Sequence, residues 1–375
     1  MSGPAPSNAQ ALANSQRPAA LPPPPLAVLR CCDASPCRNA GGAGLRRALR
    51  AARDAAGWDA QALPIRRVGC LRLCGRGPLV AADAGVADQA ADPAASHGSG
   101  RGGVAEAGAS ANGPQRLWGG VPPALAGLLL AELCPAGGPD GDSALTITPP
   151  ATKDTEPEGT GEGAMGQSAT GQGASRAGQP LPAAARPGEG SDPLAPFRLD
   201  LNHPFFRLQT PVVLERCGLI DPNSLEEALA LGAYDQLRRC VRELTPEAVR
   251  AEVRRSGLRG RGGAGYPTGL KWDTVALQPR GPRRVVANGD EGDPGAFMDR
   301  TVLESDPHRL LEGLAIAAWA VGAELGYVYV RAEYPLAIAR LRRALRQISA
   351  RGGIGAAFTG TSWPLRLELR VGAGA

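Results

Sequence analysis

The sequence predicts an α/β protein in two globular parts joined by a long linker. Three observations carry that prediction. Strand-like runs alternate with amphipathic helices near both ends of the chain, the pattern that gives sheets flanked by helices. Stretches rich in glycine, proline and alanine, without apolar periodicity, separate those regions. Four cysteines fall in two close pairs, each at the end of a predicted strand. With 375 residues and 43% hydrophobic content the chain can bury a sizeable core, yet 51 glycines, 35 prolines and only 4% aromatics imply that part of its length is unpacked.

Residues 1–25 show no periodic pattern and read as a disordered N-terminus. The first globular part spans 26–136. In it "LAVLRCC" reads as a buried strand and "GGAGLRRALRAARDAAG" (41–57) as a helix with Leu45, Leu49 and Ala52 on one face and Gly57 at its stop. "ALPIRRVGC" gives a second strand, "GPLVAA" a third, and "VPPALAGLLLAEL" (121–133) a closing helix, for a β-α-β-β-α order. Residues 83–114 form a mobile insertion within this part, and 137–195 a disordered linker after it. Residues 136–192 contain no aromatic side chain. The second part, 196–375, opens with two short helices in "DPNSLEEALALGAYDQLRRCVREL" and continues with "TPEAVRAEVRRSG", capped by Thr245, started by Pro246 and stopped by Gly257. "RVVANGDEGD", "GYVYVR" and "PLRLELRV" read as strands, with helices over the stretch capped by Asp306 and over "PLAIARLRRALRQISARG"; the alternation predicts a parallel sheet. His308 is a helix-start residue rather than a ligand.

Charge and hydropathy exclude some functions. The net charge of +5 is mild and the arginines are scattered through helices, so no nucleic-acid surface is indicated. The longest apolar run, "GLAIAAWAVGA" (313–323), falls short of the roughly 20 residues a membrane-spanning helix needs, so no direct membrane insertion is expected. The N-terminus lacks the apolar core of a secretory signal, although its arginine, serine and lack of acids allow an organelle transit peptide. A cytoplasmic protein is the expectation.

Cys32 and Cys37 make a C-x4-C pair, and Cys70 and Cys74 a C-x3-C pair. Two thiol pairs on tight loops at one edge of a small sheet can bind one centre. An iron–sulfur cluster is favoured over a four-cysteine zinc site, which more often uses C-x2-C pairs; buried, unligated cysteines are the third reading. Cys31 is an alternative ligand, and Cys134, Cys217 and Cys240 read as small core residues.

In the second part "GLRGRGGAGYPTGLKWDTV" (257–275) poses the choice between an anion-holding loop and flexible filler. Gly260-x-Gly262-x-x-Gly265 satisfies the dinucleotide fingerprint as a string but follows a helix, so a Rossmann setting is not expected. Closely approaching backbone N–H groups can still hold an anion, with Lys271 adding a point charge. Of 41 basic residues only Lys153 and Lys271 are lysines. Asn288, Asp290, Glu291 and Asp293 crowd the carboxyl end of a predicted strand, where open α/β sheets bind ligands; a solvated acidic turn is the alternative.

"SGLRGRGGAGYPTGLKWDTV", "VVANGDEGDPGAFMDRTVLESDPHRLLEG" and "GYVYVRAEYPLAIARL" resemble the flavoprotein subunit of respiratory complex I and of NAD-linked formate dehydrogenase and hydrogenase diaphorases, over about Asn202–Ala375. "CCDASPC" and "GCLRLCGRGPLV" resemble its partner, a thioredoxin-like 2Fe-2S protein, with Cys32, Cys37, Cys70 and Cys74 as ligands. The resemblance implies FMN and NAD(H) as cofactors beside the 2Fe-2S cluster. Gly260, Arg261, Gly262, Gly263 and Gly265 would line the flavin phosphate and ribityl chain, with Lys271 beside them. Asn288, Asp290 and Glu291 would meet the flavin's polar edge, and Tyr266 and Asp293 would face the nicotinamide nucleotide. No side chain need act as an acid or base. The implied activity is an NADH:acceptor oxidoreductase subunit, with NADH and other redox subunits as partners and both modules in one chain, as in the soluble dehydrogenase and hydrogenase type. The sequence stops at "LRVGAGA", where the family continues with a glycine-glutamate-glutamate segment, a ubiquitin-like domain and a 4Fe-4S domain. A truncated or split member is therefore expected, with a non-catalytic remnant, or a 2Fe-2S electron-transfer protein that does not bind flavin alone, as the alternative.

Overall fold

The computed structural model describes residues 27–73, 76–84, 116–134, 192–279, 281–293 and 295–373. Most of the expected insertion and linker, and Cys74, lie outside them. Two sheets organise the rest.

The first sheet has the order β2-β1-β3-β4, from β1 (Ala27–Cys32), β2 (Ile65–Val68), β3 (Leu79–Ala84) and β4 (Arg116–Gly119). β1 and β2 run parallel, joined through the helix α2 (Gly42–Ala55), and the remaining pairs are antiparallel. Leu45 and Leu49, four apart on one face of α2, are buried together with Leu29, Ile65, Val80 and Trp118. The closing helix α3 (Ala126–Leu133) adds Leu129 and Leu130 to that core. β4, "RLWG", is an addition to the expected order, and the short α1 (Ser35–Asn39) is another.

After a single helical turn at Pro204–Arg207, the second part continues with α4 (Leu225–Ala230), α5 (Asp235–Glu243) and α6 (Pro246–Arg255). Ser224 caps α4 by accepting from the Glu227 N–H, and Thr245 caps α6 by accepting from the Ala248 N–H, with Pro246 next. After the glycine loop come α7 (Thr268–Ala276), β5 (Arg284–Gly289), α8 (Met298–Ser305), α9 (Pro307–Val321), β6 (Leu325–Arg331), α10 (Pro335–Ser349) and β7 (Arg366–Gly372). The three strands pair in the order β5-β6-β7, all parallel, as the strand–helix alternation predicts. Asp306 caps α9 through the Arg309 N–H and Gly322 ends it in the left-handed conformation, φ +70°. Leu311, Leu314, Ala315 and Ala318 of α9 pack with Val328 and Val330 of β6 and Leu341 of α10 in the main core. The outer face of β5 is open, and Val286 is 60% exposed.

The two parts meet along a polar seam. Arg340 of α10, 2% exposed, donates to the Asp33 carboxylate and to the Asp33 carbonyl, each at 2.8 Å, and also to the Glu304 carbonyl. Glu304 accepts from the Ser35 N–H at 2.9 Å and the Ser35 hydroxyl at 2.5 Å. Arg30 reaches the Gly218 carbonyl at 2.9 Å, and Arg67 pairs with Asp221 at 2.7 Å. Among these buried charges Arg340 is paired with Asp33, and the Glu304 carboxylate is held by the two Ser35 hydrogen bonds. Among the described residues no helix is long and apolar enough to cross a membrane.

Candidate functional site

The glycine loop is closed at its neck. The Gly260 N–H donates to the Tyr266 carbonyl and the Thr268 N–H to the Leu258 carbonyl, both at 2.9 Å. Inside the neck Gly265 takes φ +53°, where a side chain is disfavoured. At Gly262 and Gly263 an added Cβ would meet nothing within 4 Å. The protein itself thus leaves the space over these two glycines empty, as a ligand cradle requires. The loop runs directly into the N-terminus of α7, an end favourable to an anion.

Arg261 and Gly262 line one side of an open cleft of about 1190 Å³. Asn288, Asp290, Glu291 and Asp293, from the turn after β5, line another. Asn288 and Asp290 sit there because β5 is an edge strand whose carboxyl end opens into the turn. Of the predicted residues, Gly260, Gly263, Gly265, Tyr266 and Lys271 are not among the cleft-lining set. Tyr266 is 46% exposed, and Lys271 stands exposed on α7.

Two of the acidic-turn side chains are engaged locally. The Asn288 Oδ1 accepts from the Asp290 N–H at 3.0 Å, fixing the turn. The Glu291 carboxylate accepts from the Asp299 and Arg300 N–H groups, at 3.0 and 3.1 Å, and from the Tyr334 hydroxyl at 3.2 Å. Glu291 therefore caps α8 while lining the cleft. Arg331 and the Tyr334 hydroxyl both donate to the Glu291 carbonyl, pinning the turn to the end of β6. Burial, and then the Glu291 carboxylate, push Asp299 above the usual carboxylate range. Burial likewise raises the Tyr334 phenol, with Glu291 adding to it.

Sequence reasoning missed the rest of the wall. Val212 and Val213 precede α4, and Phe297 and Met298 start α8; all four line the cleft and all are at least 40% exposed. Large apolar side chains left open beside polar groups are the usual lining of a small-molecule site. The only sequence signal was their apolar character outside any periodic face. Cys70 and Arg72, from the first part, close the cleft on the remaining side.

Cys70 also belongs to the thiol group. β1 and β2 are parallel neighbours, so their carboxyl ends lie side by side, and the Cys32–Cys37 and Cys70 loops meet there. Cys32, Cys37 and Cys70 are each at most 2% exposed and pack in one cluster. The Cys32 thiol is pushed up to about 12 by a hydrogen bond with Cys37, opposed by one with Cys70, and raised further by burial. Among the described residues no group of three or more His, Cys, Asp or Glu side chains is arranged to hold a metal ion, and the fourth predicted ligand, Cys74, is not among those residues. Strand alternation turns Cys31 the other way, into the core with Leu29 and Leu45, and burial pushes its thiol up to about 12. As an alternative ligand Cys31 is on the wrong face. Cys134, Cys217 and Cys240 are all buried, as their core reading expects. His308, likewise, is buried against Tyr234 and Gln347, not at the cleft.

With the glycine loop, the acidic turn and β5–β6–β7 in place, comparison with known proteins finds similarity over much of the second part. Residues 253–375 match the Nuo51 FMN-binding domain. The chain is 47% identical over 167 residues to the HndC component of the NADP-reducing hydrogenase of Solidesulfovibrio fructosivorans, covering 44% of this chain and 34% of that one. It is 42% identical over 165 residues to an NADH-quinone oxidoreductase component of Rhizobium meliloti, covering 44% and 39%. With an NADH-quinone oxidoreductase component of Aquifex aeolicus the identity is 40% over 164 residues, covering 44% and 38%. The chain thus spans little more than a third of the length of these relatives. An NAD+-reducing NiFe hydrogenase aligns over 94% of this chain and 44% of its own, at 19% identity and a TM-score of 0.37. The matched segment contains the glycine loop, α7, the acidic turn and all three strands of the second sheet.

Proposed function

We propose that this chain is the nicotinamide-oxidising flavoprotein unit of a larger redox assembly, with a thioredoxin-like 2Fe-2S domain in the same chain (26–136) ahead of its FMN- and NAD(H)-binding domain (196–375). The observation that carries the reading is the shared cleft, in which the glycine loop, the acidic turn and Cys70 face one volume.

FMN, when bound, supplies a centre that takes two electrons as a hydride and gives them up singly, which is the chemistry needed between a nicotinamide and one-electron carriers. The residues present fit it. Arg261 and the loop glycines 260, 262, 263 and 265 offer a guanidinium and close backbone approach to a phosphate, with Lys271 as a nearby point charge. Asn288, Asp290 and Glu291 offer acceptors for ribityl hydroxyls and ring N–H groups. Asp293, exposed in the cleft lining, and Tyr266, exposed beside the glycine loop, would face an entering nicotinamide nucleotide. Val212, Val213, Phe297 and Met298 give the apolar wall that keeps water from the reacting face. Cys32, Cys37, Cys70 and Cys74 would hold the 2Fe-2S cluster, whose chemistry is one-electron transfer. Cys70, read as a ligand, also lines the cleft, which supports two centres lying side by side. The further subunits, of formate dehydrogenase, hydrogenase or complex I type, would take up the electrons, with a cytoplasmic setting.

FMN titration of the chain followed by flavin fluorescence tests the reading. Arg261→Gln is expected to weaken FMN binding about tenfold, the effect of losing one charge-assisted hydrogen bond. Unchanged binding by that variant and by Asp290→Asn together would place FMN elsewhere.

A further inference from the structure

We infer that Glu304, Ser305 and Arg340 of the FMN-binding segment are positioning residues for the cysteine loops of the first part, and that α8 is a strut joining those loops to the cleft. The inference rests on the reading of Cys32, Cys37 and Cys70 as ligands, and it concerns how those loops are held.

α8 is eight residues long, about 12 Å from end to end. Its N-terminal end is set in the cleft wall: Phe297, Met298 and Asp299 line the cleft, and the Glu291 carboxylate caps the Asp299 and Arg300 N–H groups. Its C-terminal end is buried in the seam, where Glu304 is 1% and Ser305 0% exposed.

From that end each cysteine loop is grasped at its backbone. Glu304 accepts from the N–H and hydroxyl of Ser35, which lies between Cys32 and Cys37. Arg340 donates to both the carbonyl and the carboxylate of Asp33, the residue after Cys32, and its other terminal nitrogen donates to the Glu304 carbonyl. The Ser305 hydroxyl accepts from the Cys70 N–H at 2.9 Å. One residue earlier, a Cβ on Gly69 would lie 2.6 Å from the Ser305 Cβ, so Gly69 packs directly against Ser305 with no room for a side chain of its own. The Gly69 N–H donates to the Ile220 carbonyl at 3.2 Å, on the same side of the seam.

Glu304, Ser305 and Arg340 carry no thiol, and none of the three is among the cleft-lining residues. Together they fix the backbone at Asp33, Ser35 and Cys70, and so fix where three thiols converge. The first part is therefore not self-sufficient in its cysteine geometry.

Residue-resolved amide exchange on the metal-free full chain tests this without any cluster. Ser305→Ala, which keeps the Cβ, is expected to speed exchange of the Cys70 amide about tenfold, and Glu304→Ala to do the same at Ser35, with the β6 amides unchanged. Glu304→Gln, which retains an acceptor oxygen, should recover most of the Ser35 protection. After iron–sulfur reconstitution the same variants should keep full iron and sulfide content but shift the electron paramagnetic resonance signal of the reduced centre. Wild-type exchange at both amides in Ser305→Ala and Glu304→Ala, or faster exchange throughout the chain, would overturn the inference. Failure of wild type to take up iron would instead count against the ligand reading.

Discussion

His308 shows how much a single side chain can carry. It is 1% exposed, its Nδ1 lies 2.9 Å from the Tyr234 hydroxyl, and Tyr234 in turn stacks on Phe358 with ring centroids 3.7 Å apart. Burial, the largest cause, pulls its pKa from 6.5 down to about 4 against the opposing hydrogen bond to Gln347 and the nearby Asp306. The unfolded chain therefore binds a proton between these values that the folded chain refuses. Stability is present above pH 6.5 and is lost as pH falls toward 4, by roughly 3 kcal/mol in all. Urea unfolding between pH 7 and 4 should show this slope, and His308→Gln should flatten it. At the seam, Gly69→Ala forces a methyl into Ser305, at an expected cost of about 1–3 kcal/mol measured by thermal unfolding. Arg340→Met leaves the Asp33 carboxylate, 3% exposed, with only the more exposed Arg46 and Arg38 as partners, for an expected loss of about 2 kcal/mol, that of the charge-assisted hydrogen bonds removed. None of these three residues announced itself in the sequence. His308 read as a helix-start residue, which is its position on α9, but its partners, Tyr234 just before α5 and Gln347 on α10, come from tertiary packing alone.

At the scale of elements, legibility followed local signals. Thr245, Pro246 and Gly257, and Asp306 and Pro307, are written into the chain next to the helices they start or stop, and those helices stand where expected. α8 was invisible because its cap, Glu291, reaches in from seven residues before the first helical position, which no local capping pattern reveals. Glu291→Ala should therefore fray the first turn of α8 and cost about 1 kcal/mol, read as faster amide exchange at Asp299 and Arg300. β4 was missed because only four residues follow the insertion before the next turn, too few for a period to show. The glycine loop was legible as a loop from its composition, and its neck depends on backbone bonds between Gly260 and Tyr266 that composition cannot predict. The apolar cleft wall is the largest omission: Val212 and Phe297 lie in separate, aperiodic stretches, and only folding brings them together.

For the whole molecule, the seam makes one prediction and the cleft another. Two parts joined by Arg340–Asp33, Arg67–Asp221 and the Glu304–Ser35 bonds should unfold in one transition, so calorimetry should give a single peak for wild type and two for the double variant Arg340→Met, Glu304→Ala. The central claim is that the shared cleft holds a flavin that oxidises a nicotinamide beside the cysteine loops. Its most direct test is the absorption spectrum of anaerobically purified protein with FMN and iron quantified, before and after NADH. Stoichiometric flavin, bleached by NADH, with iron present, is the predicted result. Protein that neither retains nor takes up FMN, whatever its iron content, would contradict the account.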